Sequence, residues 1–190
     1  MKILFPIILF FLLSSPSWSE SLTIDDLVYR DNLYYKKFTN VPFSGEISGL
    51  ENGKFKNGKK NGEWLYYYEN GQLKSLENYR NGFLNDYYES YYENGVLSSK
   101  GTWLNHGFVG IWEFYHKNGQ LRWKGNYTKD TKKDGLWVHY HENGQLFLKG
   151  NYKDGKKDGL WEYFTEDNKF KRTETWKEGK RIETNPYKSF

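Results

Sequence analysis

From about residue 61 the chain alternates aromatic and polar positions with a period of two, and the alternation breaks only at short polar clusters. That pattern belongs to half-buried β-strands joined by turns. Along Trp112-Glu113-Phe114-Tyr115-His116, alternation puts Trp112, Phe114 and His116 on one side of an extended strand. After Asn118-Gly119 it resumes with Leu121, Trp123, Gly125 and Tyr127. Asn-Gly between two such runs predicts a β-hairpin whose two turn residues both take positive φ. A turn centred on Asn70-Gly71 pairs Glu69 with Gln72 and Tyr68 with Leu73, so Trp64, Tyr66, Tyr68, Leu73, Ser75 and Tyr79 share a buried face. In the fourth unit that face reads Trp137, His139, His141, Leu146, Leu148, Gly150 and Tyr152. Gly101, Gly125 and Gly150 stand opposite the first aromatic of their hairpins, where a missing side chain leaves room for an indole.

The pattern repeats. Trp64, Tyr88, Trp112, Trp137 and Trp161 fall on one grid with spacings of 24, 24, 25 and 24 residues. Leu73, Leu97, Leu121 and Leu146 form a second column, continued by Phe170. Tyr79, Trp103, Tyr127, Tyr152 and Trp176 form a third. The single extra residue falls in the polar stretch 128–134, where a loop tolerates it. The organisation expected is a lead-in over 20–40, a degenerate first unit over 41–60, five hairpin repeats over 61–183 and a loose tail over 184–190. The fold class is all-β: an elongated antiparallel meander of tandem hairpins of about 24 residues each. The turn Asp154-Gly155-Lys156-Lys157-Asp158-Gly159 returns the chain between hairpins. Outside the first twenty residues, helical character is expected only as a short turn within Thr23 to Arg30.

The opposite face is polar, except for one aromatic per repeat. Tyr67, Tyr91, Tyr115, Tyr140 and Phe164 predict a stripe on an otherwise wet surface, serving either contact with a partner or shielding of the sheet. Glu63, Glu113 and Glu162 read as cross-strand partners for lysine. Lys129, Lys132, Lys133, Lys153, Lys156 and Lys157 gather at one edge of the meander. Anionic lipid attracts such charges by about 1 kcal/mol each, but Asp130, Asp134, Asp154 and Asp158 offset most of that.

Composition sharpens this picture. The 190 residues include 17 Tyr, 13 Phe and 8 Trp, so a chain with 28 basic and 24 acidic residues still carries enough aromatic bulk to fold. The net charge of +4 is dispersed, without the basic stripe of a nucleic-acid binder. Cysteine is absent, which removes disulfides, thiol nucleophiles, Cys-based metal sites and lipidation at cysteine. Met1-Lys2, the apolar run Ile3 to Leu13 and the small residues Ser14 to Ser19 have the layout of a secretory signal peptide over 1–19, cut after Ser19. The expected location is periplasmic or secreted. The apolar run is shorter than the ~20 residues of a comfortable membrane span.

Repeats supply columns of residues, whereas catalysis requires a singular constellation in a pocket. No nucleophile–His–acid arrangement stands out, so no catalytic residues, metal or cofactor are expected. His116 and His141 replace Tyr68 and Tyr92 in one column, and the ~10 Å between successive hairpins is too far for one shared ion. The expected role is recognition of a protein, with an envelope lipid or glycan as the alternative ligand.

The pattern Gly-x-Trp-x-x-Tyr-x-x-Asn-Gly-Gln-Leu, followed by Lys-Gly-Asn-Tyr-x-x-Gly-Lys-Lys-Asp-Gly, resembles the MORN repeat variant and the YwqK-type antitoxin family built from it. Here it stands as Gly135-Leu136-Trp137, Tyr140, Asn143-Gly144-Gln145-Leu146, Lys149-Gly150-Asn151-Tyr152 and Gly155-Lys156-Lys157-Asp158-Gly159. The resemblance implies a non-catalytic contact module whose protein partner is a toxin, an antitoxin or immunity-like role. Repeat two departs from it, with Asp86 and Tyr88 in place of Gly and Trp.

Overall fold

The computed structural model describes residues 21–186; the expected leader at 1–19 lies outside them. A 3-10 turn at Ile24–Asp26 is capped by Thr23 and leads into β1 (Leu27–Arg30) and β2 (Leu33–Lys36), which pair as a separate hairpin. Helical character is thus narrower than expected, because Leu27 to Arg30 is already strand. A 14-stranded sheet follows: β3 (Gly45–Ile47), β4 (Glu51–Lys56), β5 (Lys59–Tyr67), β6 (Leu73–Arg80), β7 (Phe83–Leu84), β8 (Asp86–Tyr91), β9 (Leu97–Leu104), β10 (Gly107–Tyr115), β11 (Leu121–Tyr127), β12 (Lys133–Tyr140), β13 (Leu146–Lys153), β14 (Lys156–Phe164), β15 (Phe170–Lys177) and β16 (Lys180–Pro186). Its strands neighbour one another in chain order throughout, a meander, with the short β7 beside β6. Thr184, Asn185 and Pro186, expected in a loose tail over 184–190, instead pair with Glu174, Thr173 and Arg172; the rest of that stretch lies outside the described residues.

The Asn-Gly turns differ from the two-residue form expected of them. Gly71 N–H donates to Tyr68 O at 2.9 Å, and Tyr68 N–H donates to Gln72 O at 2.8 Å. Among the turn residues only Gly71 has positive φ, at 83°. This is a three-residue loop, a type I turn closed by a left-handed residue. Asn70 keeps ordinary φ because its side chain builds the turn: its Oδ1 accepts from Gln72 N–H at 2.9 Å. The two-residue turns with both φ positive lie at the other end of the sheet, as at Asp154 (51°) and Gly155 (81°). The extra residue near 130 converts one of them into the longer form, with Thr131 at φ 61° and its N–H on Thr128 O at 3.0 Å.

Beyond the small β1–β2 hairpin at its N-terminal end, the single layer of strands has no second sheet among the described residues to bury its rings, so the rings bury one another sideways. Trp64, Trp112, Trp137 and Trp161 are all at most 1% exposed. Each indole lies flat on a glycine of the preceding strand. A Cβ built on Gly53, Gly101, Gly125 or Gly150 would sit 2.2–2.3 Å from Cδ2 of Trp64, Trp112, Trp137 or Trp161 respectively. The glycine that makes room therefore comes from the preceding unit, not from the indole's own hairpin as expected. Where the next unit brings no indole, glutamate takes the glycine's place: Glu77 precedes Tyr88, and the buried Glu174 ends the array. Glu174 accepts from Tyr163 Oη at 2.7 Å and lies 3.2 Å from Arg172 Nε.

Lysines close the other side of the indoles. Lys60, Lys133 and Lys157 hold Nζ 4.3, 4.2 and 4.1 Å from the ring centres of Trp64, Trp137 and Trp161. Phe108 fills the same slot over Trp112 at 4.0 Å. Burial holds the ammonium groups of Lys133 and Lys157 below the usual lysine range. These two therefore leave the exposed basic edge to which the sequence assigns them. At the N-terminal end, Leu27, Ile47, Phe55 and Trp64 form a small true core under the β1–β2 hairpin.

Candidate functional site

Adjacent hairpins are stitched at the Asn-Gly end. Asn70, Asn94, Asn118 and Asn143 each donate from Nδ2 to a carbonyl in the next turn, those of Glu93, Lys117, Glu142 and Glu166, at 2.6–3.1 Å. One column away, Tyr68 and Tyr92 donate to the carbonyls of Tyr91 and Tyr115 at 2.8 and 2.7 Å. His116 and His141 take the same role toward Tyr140 and Phe164, with Nε2 at 3.1 and 3.3 Å. These histidines are therefore joints between repeats. Among the described residues no group of three His, Asp or Glu side chains is placed to hold a metal ion.

The face opposite the indoles carries three columns, one residue of each per repeat. The expected stripe of Tyr67, Tyr91, Tyr115, Tyr140 and Phe164 is half-buried along its length. Its hydroxyls in the second and third repeats turn to the sheet's own carboxylates: Tyr91 donates to Glu89, and Tyr115 to Glu113 at 2.7 Å. The middle column is electrostatic in places. Glu113 holds Lys124 at 2.8 Å and Lys100 at 3.0 Å, and Glu162 holds Lys149 at 2.9 Å. The hydrogen bond from Lys124, with those from Tyr115 and Lys100, lowers the Glu113 carboxyl to about 2 against the opposing effect of burial. Glu63, expected to do the same, lies exposed opposite Asn78; it precedes Trp64 where Glu113 and Glu162 follow their tryptophans, so it opens the third column instead.

The third column is the most exposed apolar feature on this face. Tyr87, Ile111, Leu136 and Leu160 are 46–58% exposed and stand immediately before the grid aromatics. Their exposure has a local cause. Between hairpins, Gly150 pairs with Trp161 but Asn151 already pairs with Asp158, which leaves Gly159 and Leu160 as a two-residue bulge without partners on β13, though both still pair with β15. Gly110-Ile111 and Gly135-Leu136 occupy the same place in their units. A bulge at this point re-aims the side chain away from the sheet. Successive members sit two strands apart, ~10 Å. Sequence reasoning omitted this column. The signal was present in the variable residue of Gly-x-Trp, which is apolar in three repeats where a solvated position would be polar.

The structure thus gathers Trp64, Trp112, Trp137 and Trp161 into a buried ladder, with Tyr88, Tyr79, Trp103, Tyr127, Tyr152 and Trp176 half-buried around it. Leu73, Leu97, Leu121 and Leu146, expected among the indoles, are half-buried but pair with Tyr67, Tyr91, Tyr115 and Tyr140 of the stripe, because the longer loop shifts the pairing by one residue there.

The MORN repeat variant family matches the chain in four segments, residues 60–81, 87–105, 108–129 and 133–154. The β14–β15 hairpin continues the same register as a fifth unit beyond the last of them. No curated protein matches the sequence. Among solved structures, a chain from "Crystal structure of GtfA/B complex bound to UDP and GlcNAc" is 11% identical with a TM-score of 0.23. The alignment covers 85% of this chain and only 28% of that one, a likeness too slight to bear on fold or function.

Proposed function

We propose that the chain, with four segments that match the MORN repeat variant, is a non-catalytic scaffold that docks a protein partner on the face opposite its indoles. The observation that carries this reading is the bulge-borne column Tyr87, Ile111, Leu136 and Leu160. Apolar side chains held clear of a rigid sheet at regular spacing, rimmed by Glu–Lys pairs, have the apolar centre and polar border of a protein interface. The stripe of Tyr67 to Phe164 runs along the same face, on the far side of the Glu–Lys column. The resemblance to antitoxins makes a toxin-like protein the favoured partner class and an immunity-like role the favoured biology. The leader-like first 19 residues favour the envelope or exterior as the place.

The test is capture of partners from the native envelope by the parent protein and by a Leu136→Glu/Leu160→Glu variant. Both positions are exposed, so melting is expected to stay within ~1 kcal/mol of the parent. Loss of the captured protein with unchanged melting supports the reading. Identical capture by the two proteins refutes it.

A further inference from the structure

A concave site lies away from that face, where the β1–β2 hairpin leans over the turns Asn57-Gly58 and Asn81-Gly82. Its volume is about 670 Å³, within the range of small-ligand sites. The hairpin is anchored there by Tyr34 N–H on Gly58 O at 2.8 Å. Among the described residues the later units have no counterpart of β1–β2 in the sheet order, so no second hairpin lines their turns in this way.

Its chemistry is one-sided. Tyr29 and Phe83 line it and are 58% and 49% exposed. Both rings are steadied by neighbours: Tyr29 packs on Tyr34 at 4.8 Å, and Phe83 meets His106 edge-on at 4.7 Å. Lys59 and Lys60 line it too, and no carboxylate does. Lys60 is spoken for, with Nζ 3.2 Å from Glu51, 2.6 Å from Tyr66 Oη and seated on Trp64. Lys59 is exposed and makes no ion pair among the described residues. Asn32 uses its Oδ1 to accept from Tyr29 Oη at 3.3 Å, which leaves its amide N–H groups to donate. The Asn81 side chain makes no hydrogen bond among the described residues.

We propose that this cleft binds an acidic saccharide, a chain of hexuronic-acid units. Exposed rings offer a flat platform for the C–H face of a pyranose, and the two amides match its hydroxyls. The unspent ammonium of Lys59, with no acid beside it, selects a carboxylate. A single free cation suits the one charge of each uronate ring better than the dense charge of a phosphate, which would call for several cations or a backbone N–H cradle.

The experiment is calorimetric titration of the full chain with tetragalacturonate and, in parallel, with neutral maltotetraose. The acidic tetramer is expected to bind at least about fivefold more tightly. Lys59→Gln is expected to remove about that factor, the worth of one exposed ion pair. Phe83→Ala is expected to weaken binding about tenfold, with melting followed to confirm the fold. Leu136→Glu, on the other face, is expected to titrate like the parent, which separates this site from the docking face. No heat with tetragalacturonate, equal affinity for the two tetramers, or a Lys59→Gln protein that binds as the parent does would each overturn the proposal.

Discussion

Adding one methyl group at Gly125 should cost this protein more than an ordinary surface change, and the sign of the effect is diagnostic. Gly125 sits in a strand, and no positive φ is recorded for it, so backbone preference alone predicts that Gly125→Ala stabilises by ~0.4–1 kcal/mol. The contact predicts the reverse. The new Cβ would lie 2.2 Å from Cδ2 and Cε2 of Trp137, against 3.4 Å for ordinary contact, so the indole must retreat by about 1.2 Å. It has little room to do so, being 1% exposed, edge-on to Tyr127 at 5.1 Å and under Lys133 at 4.2 Å. Overpacking of this kind costs ~1–3 kcal/mol, and full expulsion of the ring would forfeit the burial of ~200 Å² at ~25 cal/mol/Å², about 5 kcal/mol. A net loss of about 2–3 kcal/mol is therefore expected in urea unfolding. Trp137→Ala should cost ~3–5 kcal/mol alone, and the Gly125→Ala/Trp137→Ala double variant no more than that, because the clash has gone. A neutral or stabilised Gly125→Ala protein, or simple additivity in the double variant, would refute the idea that the glycine exists to seat the next unit's ring.

Other expectations follow from the same ladders. Asn118→Ala should lose ~1–2 kcal/mol in urea melts, since both the acceptor for Gln120 N–H and the 2.6 Å donation to Glu142 O vanish, while Asn118→Asp should retain the first and lose less. Because the folded Glu113 carboxyl lies at about 2 against an ordinary 4.5, its contribution is present above 4.5 and fades as pH falls through about 2. Glu113→Gln should accordingly flatten the fall in melting temperature over that window. The indole N–H of Trp112 donates to Thr102 O at 3.0 Å, whereas that of Trp137 is buried without a partner among the described residues. Trp112→Phe should therefore be more destabilising than Trp137→Phe by ~1 kcal/mol in parallel melts.

Faces and register were legible from alternation, and even a misjudged turn did not spoil them. Counting Asn70-Gly71 as a two-residue turn puts Tyr66 opposite Ser75, Trp64 opposite Glu77 and Gly62 opposite Tyr79, and these are the observed pairs. The real loop is one residue longer, but a one-residue irregularity between Tyr66 and Tyr67 restores the count. Asn-Gly fits both loop forms, because each needs a left-handed residue where glycine stands. What alternation could not reveal is lateral reach. It says that Trp137 and Gly125 share a face, not which glycine lies beneath which indole, nor that Asn118 spans to the next turn. The bulge-borne column was missed for a related reason: strict alternation treats Ile111 and Leu136 as ordinary strand positions, and the bulge that lifts them has no period of its own. Exposure of the Tyr67 to Phe164 stripe was likewise over-read, since alternation gives a side but not how far neighbouring side chains cover it.

The glutamates that stand in the glycine column have a consequence for which ring can come next. Glu174 fills the seat that a glycine would leave open and is held there by Arg172 and Arg181. Glu77 does the same in the first repeat, and the unit after it answers with the phenol of Tyr88 in place of an indole, after which the tryptophans resume. The column thus works as a two-letter rule between neighbours: glycine admits an indole from the following unit, and glutamate admits only a smaller ring. Exchanging one letter without its partner would leave either a clash or a hole.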